Sequence, residues 1–212
     1  MLRKIRLIAA TLCFVLITLL FLDFTGSIHT WFGWMAKIQF LPALLALNIG
    51  VVVLLIALTL VVGRIYCSVI CPLGVLQDII SWSSGKRKKK KYRFTYSTEK
   101  KLLRYGVLIL FIIALIGGIG SLTALLAPYS SYGRIAQNLF APLYGWGNNF
   151  LAYLAERADS YAFYRTEVWL KSLPTFCIAL ATLIILIILA WRNGRTYCNT
   201  ICPVGTLLGI LS

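Results

Sequence analysis

Acidic side chains are scarce: six Asp and Glu stand against 21 Lys and Arg in 212 residues, and there is a single histidine. That shortage excludes several chemistries. No carboxylate lies in the middle of any apolar run, so a proton-coupled pathway through the chain lacks its usual carrier. His29 alone supplies neither a paired-histidine zinc motif nor a Ser-His-Asp arrangement. No glycine-rich phosphate loop is present. Cysteine is also sparse, six residues in all, and a disulfide-rich secreted scaffold does not fit so apolar a composition.

What is abundant is hydrophobicity. Sixty per cent of the residues are apolar and the mean hydropathy is +0.86, too high for a soluble domain of this size. The chain has room for about four spans of about 20 residues. Leu7–Leu22 follows a basic start, Met1–Arg6. A signal peptide shares those marks, but this run is long for one and no Ala-x-Ala site follows it. Asp23–Ile38 is an aromatic outer segment, with Asp23 and His29 as candidate proton acceptors for a quinol. Phe40–Val62 reads as the second span, with Pro42 in its first turn. Leu73–Trp82 has the spacing of a short amphipathic interface helix. Leu102–Leu126 reads as the third span, in which Gly117, Gly118 and Gly120 would allow close helix approach. Ala127–Lys171 reads as a second outer segment packed on the membrane surface, with a short helix over Asn149–Arg157. Leu173–Trp191 reads as the fourth span.

The formal charge of +15 gathers on one side of this layout. Arg3, Lys4, Arg6, Arg64, the run Lys86–Lys91, Arg93, Lys100, Lys101, Arg104, Arg192 and Arg195 all fall on segments that share the face of the N-terminus. That is the positive-inside pattern, so the basicity reports topology and contact with anionic lipid, with no nucleic acid implied. The expected fold is an all-α integral membrane protein with four transmembrane helices as two parallel repeats and both termini cytoplasmic. Residues 1–85 form the first repeat, 86–101 a basic cytoplasmic loop and 102–212 the second repeat.

The repeat is carried by one motif. Gly63-Arg64-Ile65-Tyr66-Cys67-Ser68-Val69-Ile70-Cys71-Pro72-Leu73-Gly74 returns as Gly194-Arg195-Thr196-Tyr197-Cys198-Asn199-Thr200-Ile201-Cys202-Pro203-Val204-Gly205, and about ten of the eighteen positions aligned over 63–80 and 194–211 are identical. An even number of expected spans separates the copies, so both emerge on the same face, related by an axis along the membrane normal. C-x-x-x-C puts two thiols one helical turn apart, and the following proline starts a new helix. The N–H groups freed there can donate to sulfur and favour thiolate. Cys67, Cys71, Cys198 and Cys202 are thus candidate ligands for one shared centre at the cytoplasmic face. Four thiolates suit an iron–sulfur cluster, tetrahedral zinc or copper(I). The Cys-Pro ending favours [4Fe–4S] over [2Fe–2S]. Arg64 and Arg195 stand at matched positions to offset cluster charge, Tyr66 and Tyr197 read as interface-belt residues, and Cys13 and Cys177 as small apolar residues outside the site.

At these motifs the chain resembles the membrane domain of the NapH/NosR-type polyferredoxins. The resemblance rests on Cys67, Cys71, Pro72, Cys198, Cys202 and Pro203, and the layout of a motif after spans two and four is similar too. It implies an electron-transfer protein of the bacterial cytoplasmic (inner) membrane. Such a protein links the quinone pool or a cytoplasmic donor to a partner redox enzyme or ferredoxin module, as a component of an oxidoreductase chain. The alternative is a metal-handling or metalloenzyme assembly factor that binds copper or zinc through the same thiols. Family members usually add a ferredoxin module beyond the second motif, and some an outer flavin-binding domain; neither falls within these 212 residues.

Overall fold

The computed structural model describes residues 2–23, 26–63, 65–87, 101–157, 165–168 and 172–211, and among them the fold is helical throughout, with no strand. Among the described residues two helices are long and apolar enough to cross a membrane: Lys4–Leu22, within α1 (Leu2–Leu22), and Leu173–Arg192, within α11 (Leu173–Asn193). The start of α11 follows from its sequence. Ser172 is the N-cap, its Oγ accepting from Thr175 N at 3.4 Å, and Pro174 occupies the first turn, where a missing N–H costs nothing.

The other two expected spans are interrupted. Phe40–Val62 divides into α4 (Phe40–Leu45) and α5 (Ile49–Val62), and 102–126 into α7 (Lys101–Ile116) and α8 (Gly120–Leu126). The same turn makes both breaks. In the first, Asn48 N donates to Ala43 O at 2.9 Å and Leu47 N to Leu44 O at 3.1 Å; in the second, Ile119 N donates to Ala114 O at 2.9 Å and Gly118 N to Leu115 O at 3.3 Å. Each pivots on a residue at positive φ, Leu47 at 53° and Gly118 at 69°. The glycines of the third run therefore serve a turn, and a Cβ at Gly118 or Gly120 would meet nothing within 4 Å. Hydropathy could not reveal the breaks, because the turn residues Ala46, Leu47 and Gly117 are themselves apolar or neutral.

The first break folds the segment back on itself. An unbroken helix over 40–62 would hold its ends roughly 34 Å apart at 1.5 Å per residue. Instead the Tyr66 hydroxyl accepts from Phe40 N at 3.1 Å and donates to Gln39 Oε1 at 3.1 Å, while Gln39 Nε2 donates to Ile70 O at 3.2 Å. Both ends of the α4–α5 hairpin thus meet at the first cysteine motif. From there α6 (Pro72–Arg87) runs between α1 and α11 to place Ser84 Oγ on Trp191 O at 3.0 Å.

The outer segments also differ from expectation. Asp23–Ile38 holds two short helices, α2 (Ser27–Phe32) and α3 (Trp34–Lys37). Asp23 caps the first of them, its carboxylate accepting from Gly26 N at 2.9 Å and His29 N at 3.0 Å, and His29 is exposed. Beyond α8, the chain forms α9 (Pro128–Ile135), a π-helical turn Ala136–Phe140 and α10 (Ala141–Arg157), longer than the helix expected over Asn149–Arg157. Instead of lying on a surface, α9 enters the core: Tyr132, Ile135 and Ala136 are fully buried. Tyr132 packs edge-on against Phe14 at 5.5 Å between centroids and shares a hydrogen bond with Thr18 Oγ1.

One core joins these elements. It contains Ile17 of α1, Phe40, Leu55, Tyr66, Leu73, Tyr132, Leu186 of α11 and Leu208, together with Cys67, Cys71 and Cys202. The division into residues 1–85, 86–101 and 102–212 thus describes the repeat in sequence, while packing is shared across it. Arg64 and the basic residues 88–100 lie outside the described residues.

Candidate metal centre

Each cysteine motif begins where a helix is stopped. Gly63 and Gly194 occupy matched positions at φ 78° and 72°, closing α5 and α11 in a conformation that L side chains rarely adopt. The chain then turns inward as a π-helical turn, Tyr66–Ile70, in the first copy and as α12 (Thr196–Thr200) in the second. A proline next opens the helix that follows each motif, α6 or α13 (Pro203–Leu211).

The second cysteine of each motif stands at the start of that new helix. Cys71 O accepts from Val75 N at 3.2 Å and Cys202 O from Thr206 N at 3.0 Å, so both are N-cap residues. Their sulfurs receive the remaining free N–H groups. Leu73 N and Gly74 N donate to Cys71, and Val204 N and Gly205 N donate to Cys202, the last at 3.4 Å. The expected N–H donation to sulfur is present in both copies. It requires the helix to sit hard against the first cysteine. A Cβ on Gly74 would collide with the carbonyl oxygen of Cys67, and one on Gly205 with that of Cys198. This is the physical reason for glycine two residues after each Cys-Pro.

All four motif cysteines are buried, from 2% exposure at Cys71 and Cys202 to 7% at Cys67. Burial raises the proton affinity of Cys71, Cys198 and Cys202, and neighbouring cysteines raise it further. Cys198 is pushed up first by burial and then by Cys202, Cys71 and Cys67; Cys71 is pushed up to about 12 by burial and then by Cys67. The four sulfurs therefore share one electrostatic environment although 131 positions separate the two copies in sequence. Cys13 is half-buried and Cys177 exposed, outside this group.

The arrangement fits an iron–sulfur cluster. It offers four buried thiols, two from each repeat, backbone donors already aimed at two sulfurs and no acidic ligand. Among the described residues no group of three or more His, Cys, Asp or Glu side chains converges tightly enough for one metal ion. A cluster distributes its thiolates over several irons and needs no such convergence.

Other sequence readings shift. Tyr66 and Tyr197 are buried at 1% and 7% exposure, not interface residues. Tyr66 ties the motif to Gln39 and Phe40, and Tyr197 is hydrogen-bonded to Ser131 of α9. Arg195 does lie by the thiols, but a carboxylate holds it: Nε donates to Asp78 Oδ1 at 2.6 Å and Nη2 to Asp78 Oδ2. Gln77, next to Asp78, donates from Nε2 to Cys198 Sγ at 3.4 Å. Neither contact was foreseen, because nothing in the local pattern of α6 links it to a motif so distant in sequence. The site also lies inward of the helix ends. From Cys71 to Ser84, which bonds to Trp191 near the end of α11, the chain extends up to roughly 20 Å, and the four cysteines are buried inside the bundle.

A family model described as a 4Fe-4S binding domain matches residues 44–90 and 175–212. These two segments carry both C-x-x-x-C-P motifs, α6 and α13. The match supports an iron–sulfur cluster as the cofactor, with [4Fe–4S] favoured, and with it an iron–sulfur electron-transfer role. No curated protein and no solved structure matches the chain.

Proposed function

We propose that this is a membrane electron-transfer protein in which Cys67, Cys71, Cys198 and Cys202 hold one [4Fe–4S] cluster between two repeats, as in the NapH/NosR-type polyferredoxins it resembles. The observation that carries this reading is a set of four buried thiols, two from each copy, with Cys198 feeling Cys71 and Cys67 of the other copy, in the segments that the 4Fe-4S family model matches. When bound, the cluster supplies one-electron transfer. The protein's part is to provide thiolates, hydrogen bonds to sulfur and a dry surround. The chain would lie in the bacterial cytoplasmic membrane as a multi-pass protein, with α1 and α11 spanning it and both termini on the cytoplasmic side. Its lipid contacts would be the exposed apolar faces of α1, α5, α7 and α11.

A cluster inside the bundle needs electron partners on its flanks. A cavity of about 390 Å³ lies between α1 and α6, lined in part by Thr11, Ser68, Asp78 and Trp82. It borders the residue after Cys67 and suits a quinone better than the Asp23–His29 region does, since Asp23 is engaged in capping α2. A cytoplasmic redox partner or ferredoxin module would dock at the face carrying the basic loop. Copper or zinc handling is weighed down by the lack of a convergent ligand group.

Anaerobic purification with iron and sulfide counts and EPR after dithionite tests the reading. The expected result is a brown protein with about four irons per chain. Serine at any one of the four motif cysteines should abolish or alter the signal, and serine at Cys13 or Cys177 should not. A colourless anaerobic preparation, or zinc or copper in place of iron, would overturn it.

A further inference from the structure

The repeats are close copies, yet their post-motif helices differ at two adjacent positions. From the first repeat, α6 reaches the second motif with two adjacent residues: Asp78 grips Arg195, and Gln77 sets its amide nitrogen 3.4 Å from Cys198 Sγ. The matched positions in the second repeat are Leu208 and Gly209, and neither can return such a contact to Cys67. Gln77 is fully buried, and its Oε1 has no hydrogen-bond partner. A buried amide tolerates an unpaired oxygen where its nitrogen is needed elsewhere. With Cys198 as a thiolate cluster ligand, turning the amide over would aim oxygen lone pairs at sulfur lone pairs, so the ligated sulfur favours this orientation.

We propose that Gln77 is a positioning residue that raises the reduction potential of the proposed cluster through its hydrogen bond to the Cys198 sulfur. The inference rests on the functional reading above. Reduction adds one electron, taken here from dithionite, and breaks no bond. Part of the added negative charge reaches the cysteine sulfurs, so an N–H donor favours the reduced form over the oxidised one. Backbone donors serve Cys71 and Cys202 symmetrically; the side-chain donor at Cys198 has no counterpart on the matched helix.

The test is an anaerobic dithionite titration of the full chain, followed by EPR, comparing wild type with Gln77→Leu, which copies the residue at 208. A tenfold shift of the one-electron equilibrium toward the oxidised form is expected, equivalent to a midpoint about 59 mV lower. An unchanged or higher midpoint in a variant with normal iron and sulfide content would overturn the inference. If Gln77→Leu does not retain the cluster, Gln77→Met, similar in length and without an N–H, takes its place. The wild type supplies an independent measurement: ENDOR on protein labelled with amide-15N glutamine should give a coupled nitrogen that Gln77→Leu or Gln77→Met removes. If neither variant holds a cluster, that spectrum decides, and absence of coupling refutes the hydrogen bond. Absence of any cluster in wild type instead sinks the functional reading itself, so the two failures are distinguishable.

Discussion

Replacing Gly74 or Gly205 with alanine tests whether the post-motif helix must touch the first cysteine. A Cβ at Gly74 would collide with the carbonyl oxygen of Cys67 and stand 3.1 Å from its carbonyl carbon; at Gly205 the carbonyl oxygen of Cys198 is struck, with its carbon at 3.2 Å and Cys202 Cβ at 3.6 Å. The obstacle is backbone, which cannot rotate aside as a flexible side chain can, so the helix must move. Overpacking of this kind costs about 1–3 kcal/mol. Moving the helix also withdraws the N–H donors from Cys71 or Cys202, and a hydrogen bond to a charged group contributes about 1.5–3 kcal/mol. Together this is about 2.5–6 kcal/mol, a large share of a total stability of about 5–15 kcal/mol. The assay is cluster content by absorbance and iron count, alongside thermal unfolding in detergent. Gly147→Ala is the control: nothing lies within 4 Å of a Cβ there, and within α10 it should gain about 0.5–1 kcal/mol. Full cluster content and unchanged unfolding in both Gly74→Ala and Gly205→Ala would refute the close-approach argument.

Two further outcomes follow from the turns and the thiols. Leu47 is 82% exposed and holds φ 53° without glycine, so Leu47→Gly should stabilise the protein by about 1 kcal/mol, read as a rise in unfolding temperature; destabilisation would contradict the turn. For the cluster-free protein, Cys71, Cys198 and Cys202 keep their protons to higher pH than in the unfolded chain, with Cys71 held at about 12. Above the ordinary thiol value of 9.0 the unfolded chain therefore binds fewer protons than the folded one, and stability should fall as pH rises. With iron bound as thiolate the sign reverses, and the cluster should be lost as pH falls. Unfolding and absorbance measured from pH 5 to 10 on both forms check this; parallel pH trends in the two would exclude thiolate ligation by the motif.

Much of the site was legible because its signal is local and repeated. Two C-x-x-x-C-P motifs, each entered through Gly-Arg and left through a glycine, named the four cysteines and the N–H donation to two of them. The span count was less legible. Hydropathy averages over about 19 residues, and the breaks at Leu47 and Gly118 substitute one apolar residue for another, changing φ without changing polarity. Tyr66 and Tyr197 misled for a related reason: an aromatic residue beside an apolar run reads as a belt residue unless its hydroxyl has a buried partner, and those partners, Gln39 and Ser131, lie 27 and 66 positions away.

The sequence by itself determined the helical class and the duplicated motif with its paired cysteines, because each depends on composition or on spacing within a dozen residues. Only the tertiary structure decided that the α4–α5 run folds back on itself, that the thiols sit inside the bundle, and that Gln77 and Asp78 lean across to the second motif. Those facts depend on where distant backbones come to rest against one another, and hydrogen bonds such as Tyr66 to Phe40 or Gln77 to Cys198 leave no trace in the local pattern of residues.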